Sequence, residues 1–493
     1  MLEETIKQQG RSQVSVTQRI TLPQQGGLSY TVDTYFFLPA ELLINEHTYT
    51  HLDFEKRLKT YIRLSCPQLP LSALVAANGP FDELLWSLAA ASEQIRAGNS
   101  RPSAESEDRN RSTFETAFKH YALLYERAVK HAAEQLSADA QAGKLDAAQI
   151  EQFFAEAKAA RDAFRSIEAR TQALEAKLSS RAYEACDEFM SVSTAKALAP
   201  LVKSLPADVQ QLLAQHWIEE KRYLEEKYPG SQATSPADRE RVLYRWRAVR
   251  KFVNRSLYLS IHYRKGAPLL LHSIYGFAAA VSMIFATLVA FAWQSRYGSL
   301  SLNLFFALVL AYIFKDRIKE VMRTRLQHLF RRWIPDRRLE IRQGDAFSVG
   351  TCEESFDFMS ASELPADVVR MRIDAREAPF NFLSRGRSEE ILRYRKRVRL
   401  HPNPKMFAQT SHRIVDITRF DVSDFLRNID SLYSELPEFD LDEPELKRIE
   451  KTYHIYMART THIGEQASAD LTRLLVTADG IRSLESIVTP MPL

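Results

Sequence analysis

Two neighbouring stretches without Asp, Glu, Lys or Arg constrain this chain more than any other feature. The first covers residues 266–295, with an apolar centre at 269–293, and the second covers residues 297–314. A helix over the 25 residues of that centre would be about 37 Å long, against about 30 Å for the hydrocarbon core of a bilayer. The connector holds only Gln294, Ser295 and Arg296. We therefore predict an α+β membrane protein with a two-helix transmembrane hairpin, its spans at about 269–293 and 297–314.

The flanks of these stretches are strongly basic, which predicts their orientation. Residues 239–265 hold nine Lys or Arg and one acid, and residues 315–342 hold ten and four. Lys and Arg concentrate on the cytoplasmic side of membrane proteins. The N-terminus lacks the basic and then apolar pattern of a cleavable signal peptide. We therefore expect a multi-pass protein of the bacterial inner membrane, with two spans, both termini in the cytoplasm and the lipid bilayer as a partner.

Small residues recur every four positions in both stretches, a spacing that lets helix backbones approach closely. They are Ala278, Ser282, Ala286 and Ala290 in the first stretch, and Asn303, Ala307 and Ala311 in the second. Two interpretations stay open. The ladders pack the hairpin against itself, or they form a seam between copies, around a pore. Neither stretch contains an Asp, Glu, Lys or Arg, which argues against a proton relay or a charged ion site.

The rest of the chain divides into regions of different pattern. Residues 1–98 read as an α+β region with a β-hairpin, whose strands 13–22 and 28–37 flank a Pro- and Gly-containing turn. Residues 99–236 read as helical, residues 237–342 hold the basic flanks and the transmembrane hairpin, and residues 343–493 read as a cytoplasmic, β-rich α+β domain. In that last region Asp479-Gly480 is a strong hairpin turn signal. The N-terminal hairpin and the C-terminal strands are candidates for one shared sheet.

The helical region carries apolar residues at spacings of three and four in two successive segments. The first segment runs from Phe114 to Ala132 and the second from Ile150 to Leu178. This pattern predicts an antiparallel, coiled-coil-like hairpin. Its helices either pack on their own domain or project as an arm that binds another protein.

Composition and motifs exclude several classes of function. Lys plus Arg is 66 and Asp plus Glu is 62, a net charge of +4, so no specific nucleic-acid partner is predicted. The chain has no P-loop, Rossmann, zinc-protease, serine-hydrolase or Cys-x-x-Cys motif. The three cysteines, Cys66, Cys186 and Cys352, have no metal-like spacing. We predict no catalytic residue, no metal and no cofactor.

The best polar constellation is a strand with arginine at alternate positions, Arg393, Arg395, Arg397 and Arg399. Alternate residues of a strand share one face, so four guanidinium groups would line it. This face is a candidate anion-binding site. The alternative is pairing inside the fold, and the acidic segment 435–445 could supply the carboxylates.

Three functions follow from these features. The first is a membrane-anchored cytoplasmic scaffold, sensor or regulatory protein without enzymatic activity, which binds another protein or itself. The second is an oligomeric pore-forming or gated assembly. The third is an enzyme that acts on an anionic substrate at the membrane surface, with the arginine face as its binding strip.

Overall fold

The computed structural model describes residues 2–21, 27–97, 104–168, 177–200, 202, 207–233, 235–264, 268–297, 302–330, 335–343, 347–375, 389–401, 413–429, 432–440 and 443–492. The chain forms two compact units. The first, here called the β body, comprises Met1–Ile62, Ser260–Pro404 and Val415–Leu493, and the second, the helical unit, comprises Arg63–Leu259 and Lys405–Ile414. Of the described residues 52% are helical and 33% lie in strands, so the fold is mixed helix and sheet.

Fourteen β-strands lie among the described residues, and every pairing whose register is known is antiparallel. They are β1 (Leu2–Gln9), β2 (Gln13–Thr21), β3 (Leu28–Pro39), β4 (Leu58–Leu64), β5 (Ser260–Arg264), β6 (Arg337–Gln343), β7 (Phe347–Met359), β8 (Glu389–Leu400), β9 (Arg413–Asp421), β10 (Tyr433–Asp440), β11 (Glu443–Glu450), β12 (Tyr453–Ile463), β13 (Gln466–Thr477) and β14 (Gly480–Pro492). Eight of them form one sheet in the order β14-β13-β12-β3-β8-β7-β6-β5. Four form a second sheet, β1-β2-β9-β4, and β10 pairs with β11 alone.

Ten α-helices lie among the described residues. They are α1 (His51–Arg57), α2 (Pro80–Ala97), α3 (Ala104–Gln141), α4 (Ala147–Arg165), α5 (Lys177–Leu198), α6 (Ala207–Lys227), α7 (Asp238–Asn254), α8 (Pro268–Tyr297), α9 (Leu302–Phe330) and α10 (Ala366–Asp374). Helices α2–α7 belong to the helical unit, and the others to the β body.

The core of the β body lies between the two sheets. Strand β8 shows why, because its alternate residues Leu392, Tyr394 and Val398 are buried while the arginines between them point to the other face. Residues from both sheets and from α1 complete one apolar cluster, which includes Val14, Phe36, Phe54, Phe356, Phe420, Ile455 and Val476. The eight-stranded sheet has a second face, directed away from this core. Helix α10 covers part of that face, where Val368 packs with Tyr35 and Tyr456.

The strands predicted at 13–22 and 28–37 exist as β2 and β3, but they do not pair with each other. Strand β2 pairs with β1, and β3 lies between β8 and β12 in the larger sheet. The N-terminal strand β3 therefore joins the C-terminal strands, as the sequence suggested. The Asp479-Gly480 turn is confirmed between β13 and β14, and Gly480 has a φ of +136°, which favours glycine.

The apolar faces of the predicted coiled-coil-like segments are buried inside the helical unit. Phe118, Tyr125, Phe153 and Phe164 are at most 4% exposed. Helix α3 packs along α5 and α2, and less extensively against α4. Gly143, with a φ of +66°, closes α3 at the predicted turn. In this structure these helices pack on their own unit, one of the two alternatives left open.

The predicted two-helix transmembrane hairpin is wrong. Only one helix among the described residues is long and apolar enough to cross a membrane, at His272–Arg296 within α8, where the mean hydropathy is 2.1. The second stretch fails because Tyr297 ends α8 and α9 begins only at Leu302. Residues 302–314, before Lys315, make a helix of about 20 Å, short of the roughly 30 Å hydrocarbon core.

Helices α8 and α9 nevertheless pack as a hairpin. The Arg323 guanidinium lies 4.4 Å from the ring centre of Tyr275. The outer half of the hairpin, residues 284–297 and 302–314, is here called the tip, and Arg296 is its one charged residue. The basic and acidic residues of α9 lie below the tip.

Both ends of this hairpin return to the same sheet. Strand β5 leads into α8, β6 follows α9, and the two strands pair from Ser260↔Arg342 to Arg264↔Arg338. The chain therefore enters and leaves the hairpin on one side.

Candidate functional site

The tip of the α8–α9 hairpin carries thirteen exposed large apolar side chains. Its exposed side chains are Ile284, Leu288, Phe291, Trp293, Leu302, Phe305, Phe306, Leu308, Val309, Leu310, Tyr312, Ile313 and Phe314, between 38% and 75% exposed. A helix that is apolar all round is normally buried in a core or in lipid. Here 17% of the apolar window within α8 is buried by the described residues.

The small-residue ladders lie on the inner faces of the hairpin. Ala278 and Ser282 of α8 are buried, as are Ala307 and Ala311 of α9. Ala286 and Ala290 are half-buried, and the side chain of Asn303 lies outside what the structure describes. In a single chain the ladders therefore serve the close approach of α8 and α9, while the larger apolar side chains point outward.

The predicted arginine face exists on β8, and carboxylates from neighbouring strands already meet three of its four members. Arg393 donates to Asp357 at 2.9 and 2.5 Å, and Arg395 donates to Asp33 at 2.6 and 3.1 Å. Arg397 lies 3.9 Å from Glu353. These partners belong to β3 and β7 rather than to the acidic segment 435–445. The hydrogen bonds that Arg395 donates to the Asp33 carboxylate raise the pKa of Arg395.

Arg399 is the exposed member of this face. No carboxylate among the described residues forms an ion pair with its guanidinium. Anion binding by the arginine face stays a prediction. Three of its four arginines already lie next to carboxylates of neighbouring strands.

The opposite face of β8 carries a buried charge that the sequence did not single out. Lys396 is 1% exposed, and its ammonium donates to Asp416 of β9 at 2.5 Å and to Thr418 at 3.3 Å. Tyr30 of β3 donates to the other Asp416 oxygen at 2.8 Å. Burial favours a lower pKa for Lys396, but the Asp416 carboxylate outweighs burial and raises it. This cluster links the two sheets across the core.

A second buried polar network lies in the helical unit. Arg165 of α4 donates to Asp187 at 2.9 Å and to Glu220 at 2.6 Å. Tyr223 and Tyr228 donate to the second Asp187 oxygen at 2.7 and 2.8 Å. The network thus joins α4, α5 and α6, and a buried charge whose partners are all present is a structural cross-link.

The Glu220 carboxylate makes the stability of this unit depend on pH. Burial favours a higher pKa for Glu220, but Arg161 and Arg165 outweigh burial and lower the pKa below its ordinary 4.5. A carboxyl with a lowered folded-state pKa stabilises the fold above pH 4.5, and this contribution is lost as the pH falls through the folded-state value. Urea unfolding measured from about pH 7 to pH 3 should show that loss. Glu220→Gln should reduce the fall in the free energy of unfolding between these pH values. A fall as steep as that of the wild type would contradict the role given to Glu220.

The cysteines are free and are poor nucleophiles. Cys186 and Cys352 are buried and Cys66 is half-buried. Burial raises the pKa of Cys66 to about 12, so almost none of it is thiolate at neutral pH. Among the described residues, no group of three or more His, Cys, Asp or Glu is placed to hold a metal ion.

A cavity of about 710 Å³ opens in the β body beside β7. It is lined by Glu46, His47, Tyr49, Thr50, His51, Asp336, Ser355, Phe356, Asp357, Phe358, Met359, Glu363 and Arg393. Its volume lies within the range of ligand pockets, about 300–1,000 Å³. One wall is set by a capping box: Asp53 N–H donates to Thr50 Oγ1, and Asp53 accepts from Thr50 N–H at 3.2 Å. The Thr50 hydroxyl also donates to the Asp53 carboxylate at 2.6 Å, and this bond, together with the one from the Thr50 N–H, lowers the pKa of Asp53.

Sequence reasoning missed this cavity because its residues come from four separate parts of the chain. The one local signal is Pro335-Asp336 directly before β6, since proline cannot donate to a strand ladder.

Comparison of the chain with protein-family models, with curated proteins and with solved structures finds no match. The class defined here is therefore structural: a mixed helix-and-sheet protein with an uncovered apolar helical hairpin on its β body.

Proposed function

We propose that this protein is a non-enzymatic scaffold that attaches to a membrane surface through the tip of the α8–α9 hairpin and presents its body for docking of another protein. The supporting observation is an uncovered apolar tip on a hairpin that enters and leaves on one side. Contiguous exposed apolar patches are typical of membrane or protein contact sites.

The charges below the tip favour lipid over a protein partner for the hairpin. Residues 315–325 of α9 hold five Lys or Arg and two acids, and Arg317, Lys319, Arg323 and Arg325 are exposed. Juxtamembrane basic residues are attracted to anionic headgroups, each by about 1 kcal/mol. We infer that the protein lies on the cytoplasmic face of a bacterial inner membrane.

The two alternative functions gain less support. The ladder proposed as a pore seam is occupied by packing between α8 and α9. The arginine strip proposed for an enzyme is mostly paired with carboxylates. No geometry of the described residues favours either one.

Vesicle flotation tests the attachment. Full-length protein is mixed in detergent with phosphatidylcholine and phosphatidylglycerol, the detergent is removed, and the vesicles are floated. We expect the wild type to float, and Leu288→Asp with Phe305→Asp to reduce floated protein at least tenfold. Each change removes an apolar side chain whose burial contributes about 1.5–3 kcal/mol and puts a charge in its place.

A matched control keeps the result specific. Trp86→Asp with Ile218→Asp alters two side chains of similar exposure, 62% and 54% against 63% and 62%, in the helical unit. This control should float like the wild type. Equal flotation of the tip variant and the wild type would overturn the proposed attachment.

A further inference from the structure

Helices α3, α5 and α7 pack against one another in the helical unit. Arg245 of α7 donates to Glu188 of α5 at 2.8 and 2.9 Å. The Lys119 ammonium of α3 lies 3.7 Å from the ring centre of Phe252 in α7. These contacts tie the three helices together, so a site built from all three has a defined geometry.

Two cations lie beside one indole ring where these helices meet. The Lys196 ammonium of α5 is 4.1 Å from the ring centre of Trp246 in α7, and the Arg250 guanidinium of α7 is 5.2 Å from it. Lys196 and Arg250 are both exposed. A favourable contact of each cation with the ring offsets part of the repulsion between the two charges.

Carboxylates do not neutralise this pair of cations. Neither Lys196 nor Arg250 forms an ion pair with a carboxylate in the described part of the chain. The half-buried Glu126 of α3 is the nearby acid, and four cations share its charge: Arg63, Lys130, Lys196 and Arg250. Burial raises the pKa of Glu126 in spite of these cations, so it is a poor counter-ion for any one of them.

The local charge is therefore positive. Lys130 lies 3.7 Å from the exposed Glu134, so the four cations face two carboxylates and exceed them by two charges. Burial lowers the pKa of Lys196, and the charges of Arg250 and Lys130 lower it further against the opposing effect of Glu126. An anion bound between Lys196 and Arg250 would relieve this repulsion.

The neighbouring surface of α7 extends the positive charge. Arg247 and Lys251 are exposed, and no carboxylate of the described residues pairs with either one. A surface with one sign of charge raises the local concentration of ions of the opposite sign.

We propose that Lys196 and Arg250, beside Trp246, bind the phosphate group of a phosphorylated ligand. The guanidinium offers two parallel N–H donors to phosphate oxygens, and the ammonium adds a point charge. A phosphate monoester carries about −1.5 to −2 charges at pH 7, which matches the local excess of two, whereas a single carboxylate would leave one charge unmet. The site goes beyond the function proposed above and does not depend on attachment through the tip.

Isothermal titration calorimetry tests the site. Full-length protein in a non-ionic detergent and a zwitterionic buffer of low salt at about pH 7.5 is titrated with inorganic phosphate and, separately, with acetate. We expect saturable phosphate binding at one site per chain, at least tenfold tighter than binding of acetate.

Variants locate the binding. Lys196→Gln with Arg250→Gln should weaken phosphate binding at least tenfold. Lys144→Gln with Arg222→Gln removes the same charge from two exposed positions of the helical unit and should bind phosphate like the wild type. Lys196→Arg with Arg250→Lys keeps both charges and should retain most of the binding, which keeps the test valid if glutamine disturbs the fold.

Flotation identifies the source of the phosphate group. The tip variant, Leu288→Asp with Phe305→Asp, lacks the proposed attachment and is mixed with phosphatidylcholine vesicles with and without phosphatidic acid, whose headgroup is a phosphate monoester. Flotation that needs both phosphatidic acid and the Lys196–Arg250 pair identifies a lipid headgroup. Phosphate binding without such flotation identifies a soluble phosphorylated molecule.

Four results would overturn the proposal. They are no saturable phosphate binding, equal binding by the glutamine variant and the wild type, acetate binding as tight as phosphate binding, and loss of binding in the Lys144 and Arg222 control. A single-stranded oligonucleotide that binds far more tightly than phosphate would replace the proposal by a nucleic-acid surface.

Discussion

Asp416→Ala is expected to destabilise the β body by about 3–5 kcal/mol, because it leaves the Lys396 ammonium buried without its carboxylate. Lys396 is 1% exposed and Asp416 2% exposed, so water cannot replace the lost partner without opening the core. The Tyr30 hydroxyl loses its acceptor in the same variant. Urea unfolding followed by circular dichroism should show the midpoint move to a lower concentration.

A repacked variant separates the loss of pairing from the loss of volume. Lys396→Met, Asp416→Leu and Tyr30→Phe together remove all three polar ends and keep the side chains large. Replacing a buried pair by apolar residues of similar size is often neutral or stabilising. We expect this triple variant to regain most of the stability; a triple variant as unstable as Asp416→Ala would contradict the pairing argument.

Arg165→Ala is expected to have the second largest effect, about 3 kcal/mol, in the helical unit. The change leaves Asp187 and Glu220 without the guanidinium that bridges them. Asp187 is 0% exposed, and its remaining donors are the neutral hydroxyls of Tyr223 and Tyr228. Thermal unfolding followed by tryptophan fluorescence reports this unit, which contains Trp86, Trp217 and Trp246.

Two comparisons make this result specific. Arg222→Ala removes an exposed arginine from α6 and should change stability by less than about 0.5 kcal/mol. Arg165→Lys should recover only part of the loss, because an ammonium lacks the planar fork that reaches two carboxylates. Full recovery by lysine would show that charge alone matters.

Local patterns in the sequence were enough to predict strands β2 and β3, the arginine strand β8 and the helical segments that form α3 and α4. Alternation placed the arginines of β8 on one face, and Asp479-Gly480 marked the turn between β13 and β14. Both rest on residues close together in the chain, where periodicity and turn chemistry act directly.

Pairing over long distances could not be predicted in the same way. Strands β2 and β3 read as one hairpin, yet β3 pairs with β8 and β12, more than 350 residues further along. Lys396 lies in a run of basic residues, a pattern typical of a solvent-exposed strand. Its burial depends on the carboxylate of Asp416 in β9, which accepts a hydrogen bond from the Lys396 ammonium. A single sequence does not record which distant strand supplies that carboxylate.

The error in the hairpin has a local cause. Counting uncharged residues treated Tyr297 as the start of the second helix, whereas it is the last residue of α8. Helix α9 begins only at Leu302, and the apolar residues from there to Phe314 are too few to span a bilayer. The cavity beside β7 was missed for the opposite reason, since its residues are assembled only by the fold.

Depth measurement of the tip tests the central claim most directly. A nitroxide spin label at Leu288→Cys and one at Glu465→Cys are compared in phospholipid vesicles by their accessibility to oxygen and to a water-soluble nickel complex. Attachment through the tip predicts a label at 288 that oxygen reaches and nickel does not, with the reverse at 465. A label at 288 that is as accessible to nickel as the one at 465 would contradict the account.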